Sequence, residues 1–150
     1  MLEAIVMSAV LARGPDLPDV RDVGEKHHPS SVSLYQGELY MPEHNRIRLC
    51  IRDRESNDIY SAVSKPPNTY RGAYQMNDAL IDGASWMIQK QLGAEGYTLR
   101  QARKIRKEIQ ATKGNQISIY WQDRIFWTIW REGKGRMHWY HTVPGTACFS

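Results

Sequence analysis

The sequence predicts a mainly helical α+β domain, and three observations predict it. Apolar residues recur at helical spacing in four segments. Between the first and second of these lies a stretch that alternates irregularly and is broken by Pro66-Pro67-Asn68 and Arg71-Gly72, the pattern of a small hairpin among turns. The last helical segment is apolar on most sides, so it is expected at the centre. A chain of 150 residues with 41% apolar residues can bury one real core. The expected organisation is an arm or linker over residues 1–41 and a folded domain over 42–150.

The arm opens with a short helical start. Gly14 to Pro18 and Lys26 to Ser33 are rich in Pro, Gly, Ser and charge and read as loop. His27 and His28 offer a metal a pair of ligands, but adjacent histidines in a polar loop are ordinarily just solvated, and no metal site is assigned. From Arg46 to Arg54, Ile47, Cys50, Ile51 and Arg54 fall at helical spacing. Asn57 to Met76 is the turn-rich segment with the hairpin. Asp78 to Leu92 reads as a second helix, stopped near Gly93. Thr98 and Gln101 form a capping-box pattern that starts a third helix, with Leu99, Ala102, Ile105 and Ile109 as its apolar stripe and Gly114 closing the segment. Gln116 to Trp130 is the fourth helix. Gly133 to Ser150 is an irregular, aromatic tail. The chain holds no internal repeat.

Composition narrows the function classes. Five Trp and eight Tyr against two Phe suit an open groove as well as a core, because these rings carry both an apolar face and a polar handle. The formal charge of +4 favours an anionic partner without choosing one. No apolar run is long enough to span a bilayer. Ala4 to Ala12 lacks a basic flank and follows Glu3, so it does not read as a signal peptide. The two cysteines, Cys50 and Cys148, form no CxxC, which argues against structural zinc; from the residues alone they are either a bonded pair or two separate thiols. Arg100, Arg103, Lys104, Arg106 and Lys107 make a basic face. A solvated helix surface is its default reading, with an anionic wall polymer or a protein partner as alternatives. Nucleic-acid binding has this charge in its favour and no recognisable module, so a nucleic-acid partner is not expected.

The sharpest local feature is Arg54-Glu55-Ser56-Asn57-Asp58, where an apolar helix breaks into the turn-rich segment. A carboxylate half covered at such a junction suits glycoside cleavage, which needs an acid that still holds its proton near neutral pH. Such a glutamate is also a common surface residue. Tyr70-Arg71-Gly72-Ala73-Tyr74-Gln75 follows. Gly72 permits a tight turn. Tyr74 and Gln75 add a ring, a hydroxyl and an amide suited to N-acetylated sugars; an ordinary hairpin Tyr and Gln is the plainer reading.

Glu55-Ser56, the loop, and Gly72-Ala73-Tyr74-Gln75 together resemble the transglycosylase-like domain of resuscitation-promoting factors and of related actinobacterial and phage wall hydrolases, in the lysozyme-like superfamily. In that family a helix ending in Glu-Ser-Gly-Gly precedes a Gly-x-Tyr/Leu-Gln-Phe strand. The resemblance runs from about Arg46 to Cys148 and takes in Cys50, Gln122-Asp123, the Trp-rich end from Trp139, and Cys148. It departs at Asn57-Asp58, which replace Gly-Gly, at Met76, which replaces Phe, at Ser85-Trp86, about four residues late, and at the basic face.

The resemblance implies a lysozyme-like fold and cleavage of the β-1,4 bond between N-acetylmuramic acid and N-acetylglucosamine in peptidoglycan. It implies Glu55 as general acid, Tyr74 and Gln75 as sugar-positioning residues, Trp86 as a weaker one because a helical Trp is ordinarily core, and a Cys50–Cys148 disulfide. It calls for no cofactor and no metal. Asp58 is either a second carboxylate or a loop cap. A hydrolase needs the second carboxylate, about 5–5.5 Å from the acid if retaining and about 6.5–9.5 Å if inverting. A lytic transglycosylase uses the substrate's own 6-hydroxyl. The alternative is a virion structural or wall-binding protein of the same fold with little activity. Either reading places the protein outside the cell or on a virion, with glycan strands as partner and phage tail or other virion proteins reached through the arm.

Overall fold

The computed structural model describes residues 16–21, 30–131 and 134–150. The expected helical start, His27 and His28 lie outside these residues. Four α-helices follow in order: α1 (Asn45–Ser56), α2 (Asp78–Ala94), α3 (Leu99–Ala111) and α4 (Ile119–Arg131). Short 3-10 turns occupy Pro42–His44, Gly114–Gln116 and Lys134–Trp139.

Helix α4 is the centre. Every residue from Trp121 to Trp130 is buried, polar ones included, which is why its sequence is apolar nearly all round. Helices α2 and α3 form a helical hairpin, and α2 also packs on α4. Ile81, Ala84, Ile88 and Leu92 supply the inner face of α2, and Ala102 and Ile109 that of α3. Local chemistry sets the helix starts. The Asn77 side chain accepts from Leu80 N at 2.8 Å, and Thr98 and Gln101 close a full capping box on α3.

Helix α4 begins at Ile119 rather than Gln116 because the residues before it are held extended by a distant segment. Ser118 N donates to Val20 O at 2.7 Å, and Arg21 and Ile117 form a β-bridge. Trp121 Nε1 donates to Pro18 O at 2.8 Å, and Leu34 N donates to Asp123 Oδ2 at 2.9 Å. Val20, Ser33 and Tyr35 are buried with the core residues of α4.

The expected β-hairpin is not formed. Among the described residues the fold is helical, without a strand, and the α+β expectation with its lysozyme-like hairpin is corrected accordingly. Between α1 and α2 the chain makes only isolated bridges, Val63 to Arg71 and Arg71 to Met76. Pro66 and Pro67 bring no N–H to a ladder. The backbone also turns through positive φ at Asn57 (54°), Asp58 (65°), Gly72 (84°) and Gln75 (49°), which an extended strand does not allow. Hydrogen bonds are spent locally instead. Ser64 N donates to Tyr70 O at 2.9 Å and Tyr70 N to Ser64 Oγ at 2.7 Å, closing the neck of an exposed turn.

One side chain fastens this irregular segment to the central helix. Gln122 Oε1 accepts from Ala73 N at 2.9 Å, while its Nε2 donates to Tyr60 O at 2.9 Å and Ile117 O at 2.8 Å. A Cβ on Gly72 would meet Gln122 Oε1 at 2.5 Å, so both the turn and the approach require glycine.

Candidate functional site

Glu55 lies in the last turn of α1, which ends when Asn57 adopts the left-handed conformation. Ser56 Oγ donates to Ala73 O at 2.8 Å and so joins the helix end to the loop. The C-terminal tail closes over the same point. Cys50 and Cys148 are bonded, with Cα atoms 5.6 Å apart. Arg54 grips the tail through its guanidinium, donating to Thr146 O at 2.9 Å and Trp139 O at 2.8 Å. The nitrogen that reaches Trp139, Nη2, also donates to Glu55 Oε1 at 2.8 Å. His141 Nε2, from the tail, stands 3.7 Å from that oxygen. The Glu55 side chain keeps about 20% of its surface exposed, and among the described residues nothing is hydrogen-bonded to Oε2.

The tail is itself indexed to the loop. Trp139 is buried, with its ring centroid 4.8 Å from that of Phe126, and its Nε1 donates to Tyr74 O at 2.8 Å. A His138 ring nitrogen lies 3.0 Å from Gln75 O. Glu55, Gln75, His138 and His141 therefore belong to one junction of helix end, loop and tail.

The other expected residues fall in different places. Asp58 is held by Arg52, whose Nε donates to Oδ1 at 2.8 Å. It braces the turn after α1. Tyr74 faces the core, not the solvent, which corrects its expected sugar contact. Its hydroxyl donates to Asp123 Oδ1, accepts from Arg48 Nη1 at 2.8 Å, and neighbours the Tyr60 hydroxyl, which donates to the same carboxylate oxygen at 2.6 Å. Arg48 and Asp123 are fully buried, with 3.7 Å between Nη1 and Oδ1. Burial, then the neighbouring Asp123 charge, push the Tyr60 and Tyr74 phenols well above their ordinary range. This network holds the floor of the loop. Gln75 stays partly exposed, with its Nε2 donating to Gly72 O at 3.0 Å. Trp86 is about 52% exposed and meets α3, not Glu55: the Arg106 guanidinium sits 3.9 Å from its ring centroid.

His138 and His141 were not singled out by the sequence, and Arg54 was read there only as part of the string around Glu55. The signal that could find the histidines is the disulfide, since a tail pinned at Cys148 must pass the end of the helix that carries Cys50. Among the described residues no three His, Cys, Asp or Glu side chains gather as a metal site, and no helix is long and apolar enough to cross a membrane. Comparison of the chain with protein-family models, curated proteins and solved structures finds no match.

Proposed function

We propose that this protein cleaves the β-1,4 bond between N-acetylmuramic acid and N-acetylglucosamine in peptidoglycan, with Glu55 as the acid. The reading rests on the resemblance in the Glu55-Ser56 and Gly72-to-Gln75 residues. The observation that carries it is the placement of Glu55: its carboxyl is partly exposed at a junction of three chain segments, and among the described residues nothing is hydrogen-bonded to Oε2. In the proposed step Oε2 gives its proton to the bridging oxygen as the bond to the muramic C1 breaks. The 6-hydroxyl of the same sugar attacks C1 and returns its proton to Glu55, leaving a 1,6-anhydro end. This one-acid route is preferred to hydrolysis because Asp58, the nearby candidate for a second carboxylate, is engaged by Arg52. Gln75 and His141 are the groups placed to meet sugar amides and hydroxyls.

Digestion of purified wall, read by mass spectrometry of the released muropeptides, tests the proposal. The expected result is 1,6-anhydro products from the native chain and a loss of about 10²–10⁴-fold in rate for Glu55→Gln, the range that removal of a general acid gives. Reducing-end products would mean a muramidase. An absence of products from the native chain would leave a wall-binding or virion structural protein. Full activity in the Gln variant would remove Glu55 from the chemistry.

A further inference from the structure

The basic face of α3 is unused by the chemistry above, and its layout is specific. Arg100, Arg103, Lys104 and Lys107 are exposed and lie three and four residues apart, so they share one side of the helix, opposite the buried Ala102 and Ile109. At 1.5 Å per residue the row is about 10 Å long. With Arg106 the helix carries five cations against one carboxylate, Glu108, a surplus equal to the formal charge of the whole chain, +4.

This arrangement works against the helix that bears it. Like charges three and four residues apart repel. Arg100 also sits in the first turn, where the helix dipole favours anions, and no acidic residue is present there to offset it. Among the described residues, only Lys104 of these cations has a charged intrahelical partner, Glu108, at 4.0 Å. An external anion would relieve all of this.

The two flanks of the row differ. On one side Asp16 and Asp19 line a hollow of about 210 Å³ together with Lys104 and Glu108, which closes that edge to an anion. On the other side the surface runs through Arg106 to Trp86. Arg106 is committed: its Nε donates to Gln89, its Nη1 donates to Gln110 at 3.0 Å, and its plane covers the Trp86 ring. The rest of the indole is open. The surface thus offers a cationic row and one apolar shelf.

We propose that this face binds a linear phosphodiester polymer of the cell wall, a polyol phosphate, with Arg100, Arg103 and Lys107 on its phosphates and Trp86 against its carbon chain. Arginine forks and lysine ammonium groups match phosphate oxygens. Nucleic acid is the less suited polyanion. Sequence-tolerant strand binding uses several rings for successive bases, whereas the exposed aromatic rings among the described residues are Trp86 and, in the tail, Tyr140. The choice of a wall polymer rests on the glycan-cleaving reading; the cationic row does not.

The test is direct binding, with no lysis readout. The full chain is titrated with soluble poly(glycerol phosphate), with uncharged glycan strands, and with duplex DNA of equal phosphate number. The polymer is expected to bind, with affinity falling roughly 20-fold between 50 and 200 mM salt if three contacts release counterions as a single strand does. The triple variant Arg100→Gln, Arg103→Gln, Lys107→Gln should lose tenfold or more. Trp86→Ala should lose a smaller factor, and Lys65→Glu, a charge change on the exposed turn, less than twofold. The Gln variant adds no new repulsion, and its thermal unfolding midpoint verifies that it is folded. No polymer binding at 50 mM salt, equal losses for the triple variant and Lys65→Glu, or tighter binding of DNA would each overturn the proposal. Polymer binding without wall cleavage would sink the glycosidase reading alone; cleavage without polymer binding would sink this one alone.

Discussion

Replacing Asp123 by Asn tests whether the buried network sets the stability of the site floor. The carboxylate receives three hydrogen bonds, from the hydroxyls of Tyr60 and Tyr74 and from Leu34 N, and it faces the buried Arg48 guanidinium. An amide of the same shape carries one acceptor and one donor. In one orientation its NH₂ points at the Leu34 amide, which is itself a donor; in the other it faces the tyrosine hydroxyls, which would have to turn from donating to accepting. Arg48 also loses its counter-charge inside the protein. Breaking one partner of a buried ion pair costs about 3–5 kcal/mol. The hydrogen bonds to the charged group, each worth about 1.5–3 kcal/mol, are part of the same loss and are not added to it. For a chain of this size each kcal/mol moves the midpoint by about 2–4 °C, so Asp123→Asn should melt roughly 6–20 °C lower. Urea unfolding by circular dichroism and thermal melts supply the measurement. Tyr74→Phe, which removes one hydroxyl from the same cluster, should lose less than half as much. A destabilisation below about 1 kcal/mol for Asp123→Asn would show that the network contributes little and that the loop is held by packing alone.

The remaining predictions concern the loop, the tail and pH. Asp58→Asn should keep most of the wall-cleaving activity, because the residue braces a turn through Arg52; a loss as deep as that of Glu55→Gln, in the same muropeptide assay, would make it a second catalytic carboxylate. Cys148→Ser, or reduction of the native chain, should cost about 2–5 kcal/mol, since the bond links residues 98 apart and holds the tail at α1; an unchanged urea midpoint in reductant would refute this. Tyr60 and Tyr74 keep their protons in the fold beyond the ordinary phenol value of 10.0. Their contribution is therefore fully present below pH 10 and lost as pH rises above it, because the unfolded chain ionises first. Urea midpoints at pH 8 and pH 11 should fall with pH, by more than in Tyr74→Phe.

What the sequence revealed follows from the range of each signal. Helix α3 was legible to its cap because Thr98, Gln101 and the Ala102–Ile109 stripe act within a few residues. The core of α4 was legible for the same reason, but its start was not, since Val20 and Arg21 hold residues 117 and 118 from far along the chain. The hairpin was over-read. Gly, Pro and irregular alternation mark turns whether or not strands flank them, and only the positive φ values decide. Tyr74 shows the same limit: a ring with a hydroxyl suits a sugar or a buried carboxylate equally, and Asp123 lies 49 residues away. The disulfide came from the resemblance, not from spacing. His141 carried no local signal at all, because only the closed tail brings it to Glu55.

The exposed turn closed at Ser64 and Tyr70 has a practical consequence. Its neck is sealed by two hydrogen bonds, and residues 65–68 beyond it are exposed. The anchors to the central helix, at Tyr60 and Ala73, lie on either side of it. Extra sequence spliced into the tip would be carried as a passenger, with the neck and both anchors unchanged. That makes the tip the natural place for a fluorophore or an affinity tag, and a place where related chains can differ in length while Glu55 keeps its surroundings.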